Sequence, residues 1–193
     1  MLKQLTLSIM LISGTLFAKN ISYNFKDINL SSWNTSGKWE ISKNAKEHYI
    51  SMIKRGSGFF NFCYTNDVKL KNGSISVAFR ANAGQMDQGG GLMWRVQDNE
   101  NYYVVRFNPL EDNFRFYIVQ DGMRSNIASA TVKLSSGWHT MKIEQKDATF
   151  NGYVDGKKYL EYKDAQIKKA GGVGVWTKSD AQTSFDNLKI NVH

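Results

Sequence analysis

Guanidinium, phenol and indole groups recur at alternate positions in four segments of this 193-residue chain. "GLMWRVQ" carries Arg95, "NYYVVRFN" carries Tyr102 and Arg106, "NFRFYIV" carries Arg115 and Tyr117, and "GVGVWTK" carries Trp176. These groups suit recognition better than bond-breaking. Planar polar side chains make paired hydrogen bonds to hydroxyls or carboxylates, and aromatic rings offer apolar faces to the C–H faces of a sugar. A set of this kind on one surface is the expected equipment of a saccharide-binding face. Three arginines on it would also suit an acidic glycan or another carboxylated ligand.

Groups for covalent or hydrolytic chemistry are sparser. A glycosidase needs two carboxylates about 5–10 Å apart, one with a raised pKa. The candidates are Asp98, Glu100, Glu111 and Asp112, all in turn-like surroundings. In "PLEDN" (109–113), Pro109 blocks a sheet ladder while Asp112 and Asn113 favour a turn. The histidines are His48, His139 and His193, and no serine sits in a Gly-x-Ser-x-Gly elbow. His139 alternates with Met141 and Ile143, as a packed or edge histidine would. Cys63 is the single cysteine, so no intrachain disulfide can form, and no zinc or copper signature is present.

Such side chains must be positioned by strands, because strand signals run almost throughout. "GSISVAFRAN" alternates Ile75, Val77 and Phe79 with Ser74, Ser76, Ala78 and Arg80. By the same parity Leu92, Trp94 and Val96 oppose Met93 and Arg95. Tyr103, Val105 and Phe107 oppose Tyr102, Val104 and Arg106, and Phe114, Phe116 and Ile118 oppose Arg115 and Tyr117. Val173 and Val175 turn Trp176 to the opposite face, beside glycines expected to leave its ring open. Trp39 in "SGKWEI" is expected to plug the core. Between the runs stand Asn72-Gly73, Asp121-Gly122 and Asp155-Gly156, which supply the positive φ angles of tight hairpins. Short strands at about ten-residue spacing predict an all-β, antiparallel sandwich of jelly-roll type. At most a turn is expected around Asp164 to Lys169.

The order of elements also resembles a known superfamily. A Gly-rich approach to a "WR" strand is followed by "NYY", "DG", "GWHT", "VDGK", "GVGVWT" and a closing "FDN". The series is similar to the concanavalin A-like lectin/glucanase superfamily, and within it to the 3-keto-disaccharide hydrolase family (domain of unknown function 1080), from about Tyr23 to Ile190. The resemblance implies a two-sheet jelly roll, a concave face that takes saccharides, and a structural calcium away from that face. It marks Arg95, Tyr103 and Arg106 as pattern positions, although parity turns Tyr103 inward. First and last strands pair in this superfamily, so Asp27, Asp186 and Asn187 are the expected calcium ligands. The acid-bearing strand of the hydrolases is missing after "MDQGGGLMWR", and Glu-x-Asp-x-x-Glu occurs nowhere. A carbohydrate-binding domain is therefore the leading expectation, a keto-disaccharide hydrolase-type enzyme the alternative, and an envelope adhesion or structural protein the third.

The opening "MLKQLTLSIMLISGTLFAKN" reads as a signal peptide ending at Ala18, leaving residues 19–193 as one domain and an exported product, periplasmic or secreted. Its apolar run falls short of the ~20 residues a membrane-spanning helix needs. No later segment is long enough either, so no membrane insertion is expected. Net charge is +8, and the leader contributes one lysine. The lysines are dispersed, which together with export argues for solvated faces and against a nucleic-acid partner.

Overall fold

The computed structural model describes residues 18–26, 28–42 and 47–193. The expected leader, Ala18 aside, and Asp27 lie outside the described residues. Strands in chain order are β1 (Lys19–Tyr23), β2 (Asn34–Ser36), β3 (Lys38–Ile41), β4 (Ile50–Lys54), β5 (Phe60–Leu70), β6 (Gly73–Ala83), β7 (Gly90–Val96) and β8 (Tyr102–Asn108). They continue with β9 (Asn113–Gln120), β10 (Met123–Thr131), β11 (His139–Lys146), β12 (Thr149–Val154), β13 (Lys157–Lys163), β14 (Gly171–Lys178) and β15 (Gln182–Val192). One sheet runs β13-β12-β11-β6-β15-β4-β3, with β1 also on β15; the other runs β10-β9-β8-β7-β14-β5-β2. All pairs are antiparallel, giving the two-sheet sandwich that the alternation predicts, and the first and last strands pair, Lys19 opposite Val192. Among the described residues no helix is long and apolar enough to cross a membrane.

Turn chemistry closes the hairpins. Asp121 and Gly122 both have positive φ (49° and 75°) between β9 and β10, and Asp155 and Gly156 repeat this (48° and 78°) between β12 and β13. Two consecutive left-handed residues match the twist of the flanking strands, which is why Asp-Gly stands at both. The segment 164–170 is a loop with bends.

The inward faces meet as parity requires. Ile75, Val77 and Phe79 oppose Ile143, Met141 and His139 across the β6–β11 ladder. Leu92, Trp94, Tyr103, Val105, Phe107, Phe114, Phe116, Ile118, Val173 and Val175 join one buried core, as do Trp33 and Trp39. Phe150 of β12 is its hub: its ring centroid lies 5.6 Å from Trp94, 5.2 Å from Tyr103, 5.0 Å from Phe116 and 5.8 Å from Tyr162. The buried indole of Trp94 donates to Gln145 Oε1 at 2.9 Å, so its polar atom is satisfied. Burial pushes the Cys63 thiol up to about 12, consistent with an inert packing residue.

The seven-stranded sheet is strongly curved. Arg124 of β10 has its guanidinium carbon 5.6 Å from the ring centroid of Phe60 on β5, five strands away along the sheet. On a flat sheet five steps span about 24 Å, farther than the two side chains can bridge. The sheet's outer side is therefore its concave side.

Truncating the hub, Phe150→Ala, is expected to cost about 3–5 kcal/mol. The check is a fall in the midpoint of urea unfolding with an unchanged slope.

Candidate functional site

The concave face has an aromatic floor with a charged wall at one end. Phe62, Tyr64, Met93, Tyr102, Val104, Tyr117, Val119 and Trp176 form a second buried cluster, distinct from the inter-sheet core, with Phe60 packed against it. Parity builds this floor: these residues alternate with inward Cys63, Tyr103, Val105, Ile118 and Val175. Trp176 packs 5.3 Å from Phe60 and donates its indole N–H to the Tyr102 hydroxyl at 3.2 Å. Burial pushes the Tyr102 phenol up to about 12, so it stays neutral and accepts that bond.

The wall is centred on Arg106, which is 2% exposed, as is the Asp87 carboxylate. Arg106 donates from Nη1 to Asp87 Oδ2 at 2.9 Å and from Nη2 to Glu111 Oε2 at 3.0 Å. Arg115 lies directly opposite Arg106 in the β8–β9 ladder, and two cations so placed repel. Glu111 relieves this by also taking Arg115 Nη1 at 3.3 Å, with Asn113 Nδ2 at 2.6 Å. That amide and the two guanidiniums hold the Glu111 carboxyl below the usual range, against its burial. Burial pushes Asp87 the other way, while Arg106 and the Gly89 N–H pull it back. Asp87 is aimed by its loop: the Asp180 carboxylate accepts the backbone N–H groups of Gln85, Met86 and Asp87 at 2.7–3.0 Å.

Arg124 completes the constellation. Its guanidinium lies 4.3 Å from the Tyr117 centroid and 5.7 Å from that of Trp176. Burial lowers its pKa, and Tyr117, Asp87 and Glu111 work against that. The accessible parts of the wall are Glu111, 50% exposed, and Arg115, 33% exposed. Arg106 and Arg115 thus share two carboxylates while Arg124 lies against the aromatic rings beside them, an arrangement suited to holding a polar ring-shaped ligand by hydrogen bonds and stacking.

Of the residues expected here from sequence, Tyr102, Arg106, Arg115, Tyr117 and Trp176 are brought together. Arg95 is not. It has φ +48° and forms a bulge, which flips parity: Val96, expected inward, joins the outer cluster instead. The Arg95 guanidinium goes to the end of the sandwich and donates to the carbonyls of Ile167, Lys71 and Asp147 at 2.7–2.9 Å. Trp176 lies on the expected face, yet its ring is buried, contrary to the openness read from its glycine neighbours. Of the four candidate acids only Glu111 reaches the cluster. Asp98 caps its own turn through Glu100 N and Asn101 Nδ2, and Asp112 has φ +48° and meets Lys133 at 3.4 Å.

Missed from sequence were Asp87, Arg124 and the β5 aromatics. The last carried a signal, since Phe60, Phe62 and Tyr64 alternate in "FFNFCYT".

Asp186 and Asn187 lie on the other sheet, at a bulge where Asn187 has φ +52°, beside Glu47, His48 and Trp138 in a surface cleft of ≈ 400 Å³. Both Asp186 oxygens accept from Asn187 itself, at 2.6 and 3.1 Å, and burial pushes this carboxyl up. Calcium takes six to eight oxygens. No cluster of three or more metal-binding side chains occurs among the described residues, so these two do not by themselves make a calcium cage.

The family model for the galactocerebrosidase C-terminal lectin domain matches residues 34–193. The chain belongs to that family. This lectin domain also shares its fold with solved structures. The carbohydrate binding module CBM66 from Bacillus subtilis is 20% identical, with 82% of this chain and 95% of that one covered at a TM-score of 0.70. The Bacillus licheniformis beta-glucanase is 11% identical (90% and 98% covered, TM-score 0.62), and the carbohydrate recognition domain of Emp46p, in its potassium-bound form, 12% identical (88% and 94%, TM-score 0.60). No curated protein matches in sequence. The concanavalin A-like superfamily and the carbohydrate-binding class read from the sequence agree with these findings. The narrower likeness to the 3-keto-disaccharide hydrolases gains no support from them.

The rim bonds of Arg95 have a testable partner. Asp164 is pushed up by burial, but hydrogen bonds from Tyr103 and Gln166 and the charge of Arg95 outweigh this and hold it below the usual range. A lowered carboxylate stabilises above its unfolded pKa and loses that contribution as pH falls through the folded one. Asp164→Asn is therefore expected to be less stable than the parent at pH 7, with the gap closing below about pH 4. Arg95→Met, which strands three carbonyls, is expected to cost about 2–4 kcal/mol. Urea melts at several pH values check both.

Proposed function

We propose that this lectin domain binds a saccharide on the concave face of the seven-stranded sheet. Arg106, Glu111, Arg115 and Arg124 would hydrogen-bond the ligand's hydroxyl or acidic groups, and the Phe60, Tyr117 and Trp176 rings would back it. The observation that carries this reading is the Arg106 clamp: two carboxylates fixed on one buried guanidinium at the rim of an aromatic floor. Hydroxyl recognition needs donors and acceptors together in fixed orientation, and this clamp supplies both. Sequence reasoning also supports export, through the leader at 1–18, and the dispersed lysines favour a glycan over a nucleic acid. A structural calcium at Asp186 and Asn187 stays a proposal that needs further ligands.

A glycan array identifies the bound saccharide, and titration calorimetry then tests the face. Arg115→Ala and Glu111→Gln change rim groups one-third and one-half exposed and are each expected to weaken binding about tenfold, as loss of a charged hydrogen bond does; Arg115→Ala keeps the melting temperature within about 2 °C of the parent, while Glu111→Gln, which takes a charge from buried Arg106, lowers it. Undiminished binding by both variants would place the site elsewhere.

A further inference from the structure

We propose that the saccharide taken by this face carries a carboxylate, as uronic acids do, and that Arg124 is the residue that reads it. This rests on the saccharide reading above and adds the ligand's charge.

The charges on the wall do not balance. Arg106 holds Asp87 and Glu111, and Arg115 shares Glu111 while its Nε donates to Ser129 Oγ at 3.1 Å. Both acids are thereby used. Arg106 also has a buried Nε without a partner but keeps two carboxylates; Arg124 makes neither an ion pair nor a side-chain hydrogen bond among the described residues, and its Nη1 is buried with no partner. Its neighbours are the rings of Tyr117, Phe60 and Trp176. Aromatic faces attract a cation, but they accept no conventional hydrogen bond in the plane of the guanidinium. A guanidinium removed from water with an N–H unanswered is a costly group to keep unless something arrives to answer it.

The chemistry that answers it is specific. A carboxylate offers two oxygens in one plane, matching the guanidinium fork, and carries the charge that Asp87 and Glu111 leave uncompensated. A neutral sugar hydroxyl can accept hydrogen bonds but leaves the excess positive charge in place. The rings fix the guanidinium on one flank, so little side-chain freedom is lost when the acid docks. Arg115, one-third exposed at the rim, adds to the attraction an acid feels as it approaches.

The test uses the full chain and matched methyl glycosides: galacturonate against galactose, glucuronate against glucose, and each uronate against its own uncharged methyl ester. The expected result is that at least one uronate binds tenfold or more tightly than both its neutral sugar and its ester, with the preference shrinking as salt rises. In Arg124→Gln the acid-to-neutral ratio is expected to fall below threefold. Arg124→Lys keeps the charge but not the fork, and should retain only part of the preference. The ester comparison needs no variant, so it decides the ligand's charge even if Arg124→Gln fails to fold, and an acid preference undiminished in both Arg124 variants overturns the assignment to Arg124. Equal or better binding of the neutral sugars overturns the carboxylate inference while the saccharide reading stands. No binding of these sugars or of any array glycan overturns both.

Discussion

A guanidinium taken out of water has to be answered by acceptors, and Arg106 is answered by two carboxylates. That requirement organises one end of the molecule. Asp87 can sit at 2.9 Å from Arg106 only because Asp180, on the far side of the sequence, gathers three consecutive backbone N–H groups of the 85–87 loop. Glu111 can reach Arg106 only because the β8–β9 connection turns tightly, with Asp112 at φ +48°. Breaking one member of a buried charge pair leaves the other uncompensated, which costs more than the pair contributes intact. The two loops are therefore tied to the same arginine, and the rim of the concave face is set in place before any ligand arrives.

Curvature is the second determinant. Sheets twist and coil by themselves, but contact between β10 and β5 side chains requires the whole ladder to bend toward its outer side. The inward face of this sheet carries the rings of Trp94, Tyr103, Phe107, Phe114 and Phe116, and the outer face carries those of Phe60, Phe62, Tyr64, Tyr102, Tyr117 and Trp176 beside glycines and arginines. The bend gathers the outer rings into one layer, and that layer is the floor of the site.

Which parts were legible in the sequence follows from this. Period two survives wherever a ladder is regular, so Tyr102, Arg106, Arg115, Tyr117 and Trp176 could be placed on one face from alternation alone. It fails at a single left-handed residue: Arg95 inserts a bulge, and Val96, the last residue of β7, changes sides. Parity also says which way a ring points without saying what surrounds it, so the burial of Trp176 was out of reach. Asp87 and Arg124 were invisible for a different reason. One is delivered by a loop pinned 93 residues away, the other by the bend of an entire sheet, and neither leaves a local pattern.

The arginines of this chain show what separates a structural guanidinium from a recognising one. Arg95 gives its hydrogen bonds to three backbone carbonyls, neutral acceptors that belong to turns and a loop and have nowhere else to go. Its bonds join segments 24, 52 and 72 residues distant, and a ligand would have to dismantle the rim to use it. Arg106 gives its bonds to side-chain carboxylates, one of them half exposed, which can rotate and share. Arg95 and Arg106 each leave only Nε without a partner, whereas the Arg124 guanidinium donates no hydrogen bond among the described residues and lies against rings that hold it in place. All three are largely withdrawn from water, so burial alone does not sort them. The nature of the acceptor does: a backbone carbonyl commits the charge to the fold, a rim carboxylate lends it to the surface, and a missing acceptor reserves it for a ligand.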